Sequence, residues 1–303
     1  MLYTEQKIQI RHKSLILYDL PDYHSNCSRS SVQKRLLQIK EDKKKAYSGQ
    51  LTPGSKKRLS KAIDLLCQTI KTKRVYSRIL DREVPHRLSF ITLTVSQHRN
   101  ITAREVYDKA FKYFLQWMRK SQKVNTYVWK CEVQKRGQIH YHITTPSYIF
   151  YQDIRDKWNN LQRQNNWTDD YYKLKGHHNP NSTDIKEVRK VHNLSAYLIK
   201  EFCKTIQNPN TDGKIWDCSL NLKKWKYYTI NENEQNHEIM SEMIDKDKVE
   251  PICTDHCIIL KMKTANPIEV MNLKEVQGYD EYLQMIRTYK REDKIKEEEP
   301  LTI

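Results

Sequence analysis

The sequence predicts an α+β fold in which helices pack on one face of an antiparallel β-sheet. Short runs of strand-forming residues alternate with longer segments whose apolar residues recur at helical spacing. Two of the strand runs are joined by a short loop that contains glycine, which is typical of an antiparallel hairpin. Only six glycines occur in 303 residues, so long helices are expected.

The chain divides into three predicted regions. Residues 1–85 form a basic N-terminal region, irregular up to residue 30 and then helical with a break near Pro53. Residues 86–206 contain the clearest strand and helix patterns and are the predicted functional domain. Residues 207–303 form a C-terminal extension that is acidic and partly helical, with strand pieces before residue 231 and a helix near residues 281–291.

Within residues 86–206 the predicted order is strand, helix, hairpin, helix, strand, helix. The first strand spans residues 88–95, and Thr102 with Glu105 forms a capping-box signature at the start of the first helix. The buried faces of the first two helices are predicted at Val106, Ala110, Phe114 and Met118 and at Ile154, Trp158 and Leu161. Residues 165–182 are predicted to be a polar loop, followed by a strand at 184–188.

The most informative run is Gly137-Gln138-Ile139-His140-Tyr141-His142-Ile143-Thr144, which has the composition of a β-strand. Because alternate strand residues face the same side, His140 and His142 present their imidazoles together and Tyr141 faces away. Two neutral imidazoles supply half of a divalent-metal site. The alternative interpretation is a solvated or hydrogen-bonded pair of histidines without a metal.

A carboxylate is predicted to join the two histidines from the neighbouring strand. Gly137 occupies the third position of a three-residue loop, where a left-handed backbone is common. This loop length places Glu132 opposite His140, and directly opposed residues share a sheet face. It also places Lys130 opposite His142. A two-residue loop would instead turn Glu132 to the other face.

A second candidate group lies on a predicted helix further along the chain. Leu194, Leu198 and Phe202 recur at helical spacing and would form its buried stripe. Tyr197, Lys200 and Lys204 share another face. A tyrosine beside lysines suits attack on a phosphodiester, because a nearby cation favours the phenolate and a lysine stabilises charge on the transferring phosphate. The alternative is an ordinary amphipathic helix with solvated lysines.

Together these motifs resemble the HUH endonuclease superfamily, and within it the replication initiators (Rep) of rolling-circle replicons. Residues 90–94 resemble the first motif strand, His140 and His142 the metal-binding pair, and Tyr197 with Lys200 the tyrosine motif. Residues 47–59 and 213–223 are similar to segments of rolling-circle replication-associated proteins from Bacteroidetes-type mobile elements and phages. The motif contains a single tyrosine. Whether Lys204 takes part stays open.

The resemblance implies a metal-dependent, site-specific DNA endonuclease built on the palm-type antiparallel sheet of HUH and RRM-like domains. Glu132, His140 and His142 would hold a divalent metal ion, magnesium or manganese, although these ligand types also fit zinc. The cation would polarise a phosphate of single-stranded DNA. Tyr197 would attack and become linked to the 5′ phosphate, with Lys200 as its partner, releasing a free 3′ hydroxyl. The reverse reaction would rejoin strands.

The implied substrate is single-stranded origin DNA of a plasmid, a phage or another mobile element. The formal charge of +17 agrees with this substrate. The excess is uneven: residues 29–87 carry seventeen Lys and Arg against five Asp and Glu, whereas residues 231–303 carry ten against seventeen. A basic N-terminal region would follow the phosphates of DNA. The alternative is a solvated, charged helix face.

No nucleotide-binding loop is recognisable in the sequence. Residues 49–56 place their lysine one position later than a phosphate loop does, and no strand precedes them. A helicase and a polymerase of the host are therefore expected partners. Seven scattered cysteines, with no signal peptide and no long apolar span, predict reduced thiols in the cytoplasm of a bacterial host and no membrane partner.

Two other functions stay open. The first is a single-tyrosine transposase or relaxase of the same superfamily, although such transposases tend to be smaller and relaxases usually carry a third histidine just after the pair. The second is a basic nucleic-acid-binding protein without catalysis. In that case Tyr197→Phe would leave DNA processing unaltered, because no covalent step exists.

Overall fold

The computed structural model describes residues 6–19, 51–96, 101–134, 137–187, 194–203, 213–254, 257–263, 267 and 278–288. Its strands are β1 (Gln6–Ile10), β2 (Ser14–Asp19), β3 (Lys73–Ser77), β4 (Arg82–His86), β5 (Ser89–Thr94), β6 (Val128–Val133), β7 (Ile139–Thr145), β8 (Thr183–Glu187), β9 (Trp216–Cys218), β10 (Tyr228–Asn231), β11 (Val249–Cys253) and β12 (Cys257–Met262).

The helices are α1 (Pro53–Gln68), α2 (Ala103–Val106), α3 (Lys112–Lys120), α4 (Tyr151–Gln164), α5 (Asp169–Lys175), α6 (Leu194–Cys203), α7 (Leu220–Lys224), α8 (Glu234–Asp245) and α9 (Tyr279–Thr288). A π-helical stretch, Tyr107–Phe111, continues α2 into α3. Mixed helices and antiparallel sheets confirm the α+β prediction. In this described part of the chain, no helix combines the length and apolar character that crossing a membrane requires.

The histidine sheet carries the two predicted metal-binding histidines and has the strand order β8-β5-β7-β6-β9, with antiparallel pairing. One of its faces is covered by α2, the π-helical stretch, α3 and α4. The aromatic core of this side contains Trp129, Tyr141, Phe111, Phe114 and Trp158. Burying each such ring contributes about 1.5–3 kcal/mol, so this layer fixes the position of the sheet.

The opposite surface of the sheet, the histidine face, is also covered in part by helices. Helices α1 and α6 pack against each other, and α1 contacts β6. Val128 and Phe90 belong to the same hydrophobic core as the buried residues of these two helices. The sequence predicted helices on one face of the sheet; the structure places them on both, because α1 has apolar residues on more than one side.

A second sheet, the terminal sheet, has the strand order β10-β1-β2-β12-β11. Strand β1 pairs with β10 across more than two hundred residues, with Lys7 opposite Asn231. The prediction that residues 1–30 are irregular is therefore wrong for the described residues 6–19. Strands from the predicted N-terminal region and from the predicted C-terminal extension share this sheet, and the three predicted domain boundaries stay predictions.

The helices and strands predicted from periodicity are largely confirmed. Thr102 caps α2, with its side-chain oxygen accepting a hydrogen bond from the Glu105 backbone N–H. Residues 183–187 form β8, as predicted within one residue. The predicted polar loop at 165–182 is wrong in its middle, where α5 forms. That helix buries none of its residues, so no apolar stripe indicated it.

A titratable cluster links α1 to the terminal sheet. Asp64 on α1 accepts hydrogen bonds from the His12 backbone N–H and from Gln68. Burial raises the pKa of Asp64 to about 6, against the hydrogen bonds that favour its charged form. Burial also lowers the pKa of the His12 imidazole to about 4. The folded protein thus stabilises the neutral form of both side chains.

We expect Asp64→Asn to stabilise the protein in a pH-dependent way. The stability that neutral Asp64 provides is fully present below its unfolded-state pKa near 4 and is lost as the pH rises through about 6. The variant should therefore exceed the wild type by about 2–3 kcal/mol in free energy of unfolding at pH 8 and match it near pH 4. Denaturant unfolding at both values measures this. Because both proteins keep His12, its titration cancels; a difference that does not change with pH would contradict the assignment.

Candidate active site

The histidine pair and its carboxylate lie together because of the hairpin register between β6 and β7. Glu132 lies opposite His140 and Lys130 lies opposite His142, which confirms the register predicted from the sequence. Gly137 has a φ of 84°, the left-handed conformation expected at the third loop position. All four side chains share the histidine face, since directly opposed residues point to the same side.

The residue between the histidines anchors the strand from the other side. Tyr141 is fully buried, its ring stacks on Phe111 at a centroid distance of 3.7 Å, and its hydroxyl donates to the Ala103 carbonyl. Phe111 ends the π-helical stretch, where the extra backbone residue shifts the side chain relative to a regular helix. This packing fixes the strand that presents His140 and His142 on the opposite face.

Two threonines of β5 hold the imidazole rings. The Thr92 hydroxyl oxygen is 3.2 Å from His142 Nδ1, and the Thr94 hydroxyl oxygen is 3.4 Å from His140 Nδ1. A hydroxyl can donate or accept, so each threonine can pair with either tautomer of its histidine. When the hydroxyl accepts from Nδ1–H, the lone pair at Nε2 is available for a metal, as in many histidine metal sites.

Glu132 connects the histidines to a buried lysine. Its Oε2 atom is 3.5 Å from His142 Nε2 and 3.2 Å from Lys130 Nζ. A hydrogen bond from His142, with the positive charge of Lys130, lowers the pKa of Glu132 to about 2 despite partial burial. Lys130 is 5 % exposed, which is rare for a lysine and requires a charged partner. The carboxylate is therefore ionised and already attracts a cation.

The donor set fits a divalent cation in its chemistry, although its side chains are spread. One carboxylate and two imidazoles suit magnesium, manganese or zinc. The centroids of the His140 and His142 rings are 6.2 Å apart, and Glu132 is directed to Lys130. Over the described ranges, no three or more His, Cys, Asp or Glu side chains are grouped closely enough to hold a metal ion as they stand. Metal binding would require these side chains to converge.

Helix α6 brings the predicted nucleophile to the border of the histidine face. Leu198 and Phe202 are buried in the core that α6 shares with α1 and Phe90, as the predicted stripe requires. The ring of Phe90 stacks on His142 at a centroid distance of 5.4 Å. Tyr197 is 44 % exposed, so its hydroxyl is accessible to a substrate.

Lys200 is exposed one helical turn from Tyr197. Within the described residues, neither side chain makes a hydrogen bond or ion pair with Glu132 or the histidines. Lys204 lies outside the described residues.

Sequence reasoning missed the parts of the site that support the histidines. Thr92 and Thr94 alternate on β5 as His142 and His140 do on β7, so a prediction of the β5–β7 pairing would have found them. Lys130 was placed opposite His142 by the predicted register but was given no role. Its nearly complete burial could not be read from a strand that ends at a charged, solvent-facing hairpin.

Residues 88–206 match a protein-family model that describes the replication-associated proteins of the ORF2 type. The matched segment runs from the residue before β5 past the end of α6, so it contains Glu132, both histidines and Tyr197. The match supports a replication-initiator family for this part of the chain, in agreement with the resemblance noted from the motifs. No curated protein and no solved structure matches the chain significantly.

We expect Gly137→Ala to lower the free energy of unfolding by about 1 kcal/mol or more, because alanine is strained at positive φ. The matched control is Gly54→Ala in α1, where the nearest atom to an added Cβ is 3.9 Å away. That control should keep or raise stability, because alanine favours helix. Urea unfolding of both variants gives the comparison. Equal effects of the two substitutions would argue against the three-residue loop.

Proposed function

We propose that the protein initiates rolling-circle replication by nicking and rejoining single-stranded DNA at an origin. The observation that carries the proposal is the placement of Glu132, His140 and His142 on one sheet face, bordered by the helix that carries an exposed Tyr197. The match of residues 88–206 to a replication-associated family supports the same function. The substrate class is an unpaired strand, since the tyrosine must reach a phosphate from the side.

The chemistry assigned to the side chains is a phosphoryl transfer. The Tyr197 oxygen attacks the phosphorus, a bond forms between them, and the bond from phosphorus to the 3′ oxygen breaks. The protein retains the 5′ phosphate as a phosphotyrosine, and the 3′ oxygen takes a proton to become a free hydroxyl that can prime synthesis. Attack of a 3′ hydroxyl on the phosphotyrosine reverses these steps and rejoins the strand. Lys200 stabilises the negative charge on the transferring phosphate.

Glu132, His140 and His142 would hold the divalent cation in this proposal. Bound there, the ion would act as a Lewis acid toward a phosphoryl oxygen. The residues of the chain prepare the position: Thr92 and Thr94 orient the imidazoles, and the low pKa of Glu132 keeps the carboxylate ionised at any physiological pH.

The proposal is tested by looking for the covalent intermediate. The full-length protein is incubated with labelled single-stranded origin DNA of its own replicon and Mn²⁺, and the products are separated under denaturing conditions. We expect a protein–DNA adduct that is absent with Tyr197→Phe and with EDTA, a loss of at least 10³-fold in yield on the order expected when a nucleophile is removed.

The matched control for this experiment is Tyr113→Phe, which alters a tyrosine of similar exposure (47 %) on the opposite side of the histidine sheet. It should keep the wild-type yield of adduct. If DNA binds but no origin fragment gives an adduct, the protein is a DNA-binding protein without catalysis.

A second prediction concerns the support of the metal ligands. Thr92→Val removes the hydroxyl that holds His142 and should weaken Mn²⁺ binding about 10-fold or more, as loss of such supporting hydrogen bonds does in other metal sites. The control is Thr183→Val on β8, whose buried hydroxyl oxygen makes no hydrogen bond to any residue that the structure describes. Calorimetric titration of Mn²⁺ into each full-length protein measures the affinities. Equal affinities for the two variants would remove His142 from the metal site.

A further inference from the structure

A pocket of about 620 Å³ lies between α1 and the edge strand β9 of the histidine sheet. Its floor is apolar and includes Leu51, Ala62, Ile215 and Leu222. Ala62, Ile215 and Leu222 are almost completely buried, so the floor belongs to the folded core and does not depend on exposed side chains. The indole of Trp216 forms part of the wall and is fixed, because its Nε1–H donates to the Ser55 hydroxyl at 2.7 Å.

The rim of this β9 pocket is strongly positive. Arg58 and Lys61 contribute from α1, and Lys214 and Lys223 contribute from the two sides of β9. The only carboxylate among the described lining residues is Asp217, which pairs with Lys214 and Lys223 at 2.7 Å and holds both ammonium groups in place. The excess of positive charge at the rim over an apolar floor favours an occupant that is anionic at one end and flat and apolar at the other.

Partial burial also affects the cations. It lowers the pKa of the Lys61 ammonium, with Lys226 acting in the same direction. An anion bound next to Lys61 would offset this cost of burying the charged form.

The position of the pocket connects it to the candidate active site. Trp216 lies opposite Lys130 in the pairing of β9 with β6, and Lys130 lies opposite His142 in the pairing of β6 with β7. These three residues therefore form a row across the histidine face. Neighbouring strands are about 4.8 Å apart, so the row brings the wall of the pocket to within about 10 Å of His142. A strand that reaches the histidines can thus extend into the pocket.

We propose that the β9 pocket binds one nucleotide of the single-stranded DNA next to the scissile phosphate, with the base on the apolar floor beside Trp216 and its phosphate at Arg58 and Lys61. The inference rests on the proposed function for the identity of the strand. A nucleotide unit has the flat apolar base and the anionic phosphate that the floor and the rim require. Binding one unit beside the reacting phosphate would position the strand before chemistry begins.

The test measures DNA binding without chemistry. A fluorescent oligothymidylate of about 20 nucleotides, longer than one binding site, is titrated with full-length protein in EDTA at several salt concentrations. The double variant Arg58→Gln/Lys61→Gln should raise Kd about 10-fold and reduce the magnitude of the salt slope by about 0.7 for each lost phosphate contact. The control Lys112→Gln/Lys120→Gln removes the same charge from exposed positions on α3, a helix on the far side of the sheet, and should change Kd less than about 2-fold, since it touches only the long-range field.

A second measurement locates the base. An oligonucleotide that contains 5-iodouracil is irradiated with the protein, and the cross-linked peptide is identified by mass spectrometry. We expect a cross-link at Trp216, and its loss in Ala62→Phe, which fills the floor without a change in charge. Since Ala62→Phe places a large side chain in a buried position, its thermal unfolding is recorded alongside; the charge variant carries the test independently.

Two outcomes would overturn the proposal. One is an equal loss of affinity in the pocket variant and the control variant, which would reflect net charge alone. The other is displacement of the oligonucleotide by an equimolar amount of free thymidine triphosphate, which would assign the pocket to free nucleotides. Failure of the proposed function is distinguishable, because it appears as absence of the Tyr197 adduct in Mn²⁺ while the affinities in EDTA are unaffected.

Discussion

The strict alternation of side chains on β7 is the constraint on which the rest of the structure depends. It directs Ile139, Tyr141 and Ile143 into the aromatic core and His140 and His142 to the other face. A slip of one residue against β6 would exchange these two sets and bury both histidines among aromatic rings. The large apolar layer under the sheet thus fixes the register, and the register determines which side chains meet on the histidine face.

Charge within the histidine face is balanced before any ligand arrives. The buried ammonium of Lys130 and the ionised carboxylate of Glu132 neutralise each other, which reduces the cost of burying either one. A divalent ion entering this position would have to compete with Lys130 for the same oxygen. The lysine would then be released toward solvent or toward the phosphate of a bound strand. The same residue lies between Trp216 and His142, so its position affects both the histidine site and the β9 pocket.

Local patterns in the sequence predicted the features that depend on neighbours in the chain. The loop glycine and the loop length were enough to place Glu132 opposite His140, because hairpin geometry leaves few alternatives. The buried stripe of α6 followed from helical spacing. The metal ion, the nucleophile and their roles, by contrast, stay predictions, since neither the fold nor the family match tests what these side chains do.

Features that depend on distant contacts could not be predicted in the same way. Strand β1 has only two buried apolar residues, Ile8 and Ile10, and its partner β10 lies more than two hundred residues away. Nothing in five residues of such composition indicates a central position in a sheet. Helix α5 lacked a buried face, so only its ends indicated it: acidic residues in the first turn and Gly176, with φ of 73°, after the last.

Strand β9 gives the histidine sheet its outer boundary, although it lies beyond the segment that matches the replication-associated family. It is three residues long, with Lys214 shortly before it and Lys223 shortly after it, a short charged edge of the kind that discourages pairing with other chains. A fragment that stops at residue 206 would uncover the backbone N–H and C=O groups of β6 that β9 now pairs. The smallest portion of this chain that keeps the sheet closed to self-association therefore extends through residue 218, past the limits suggested by sequence similarity.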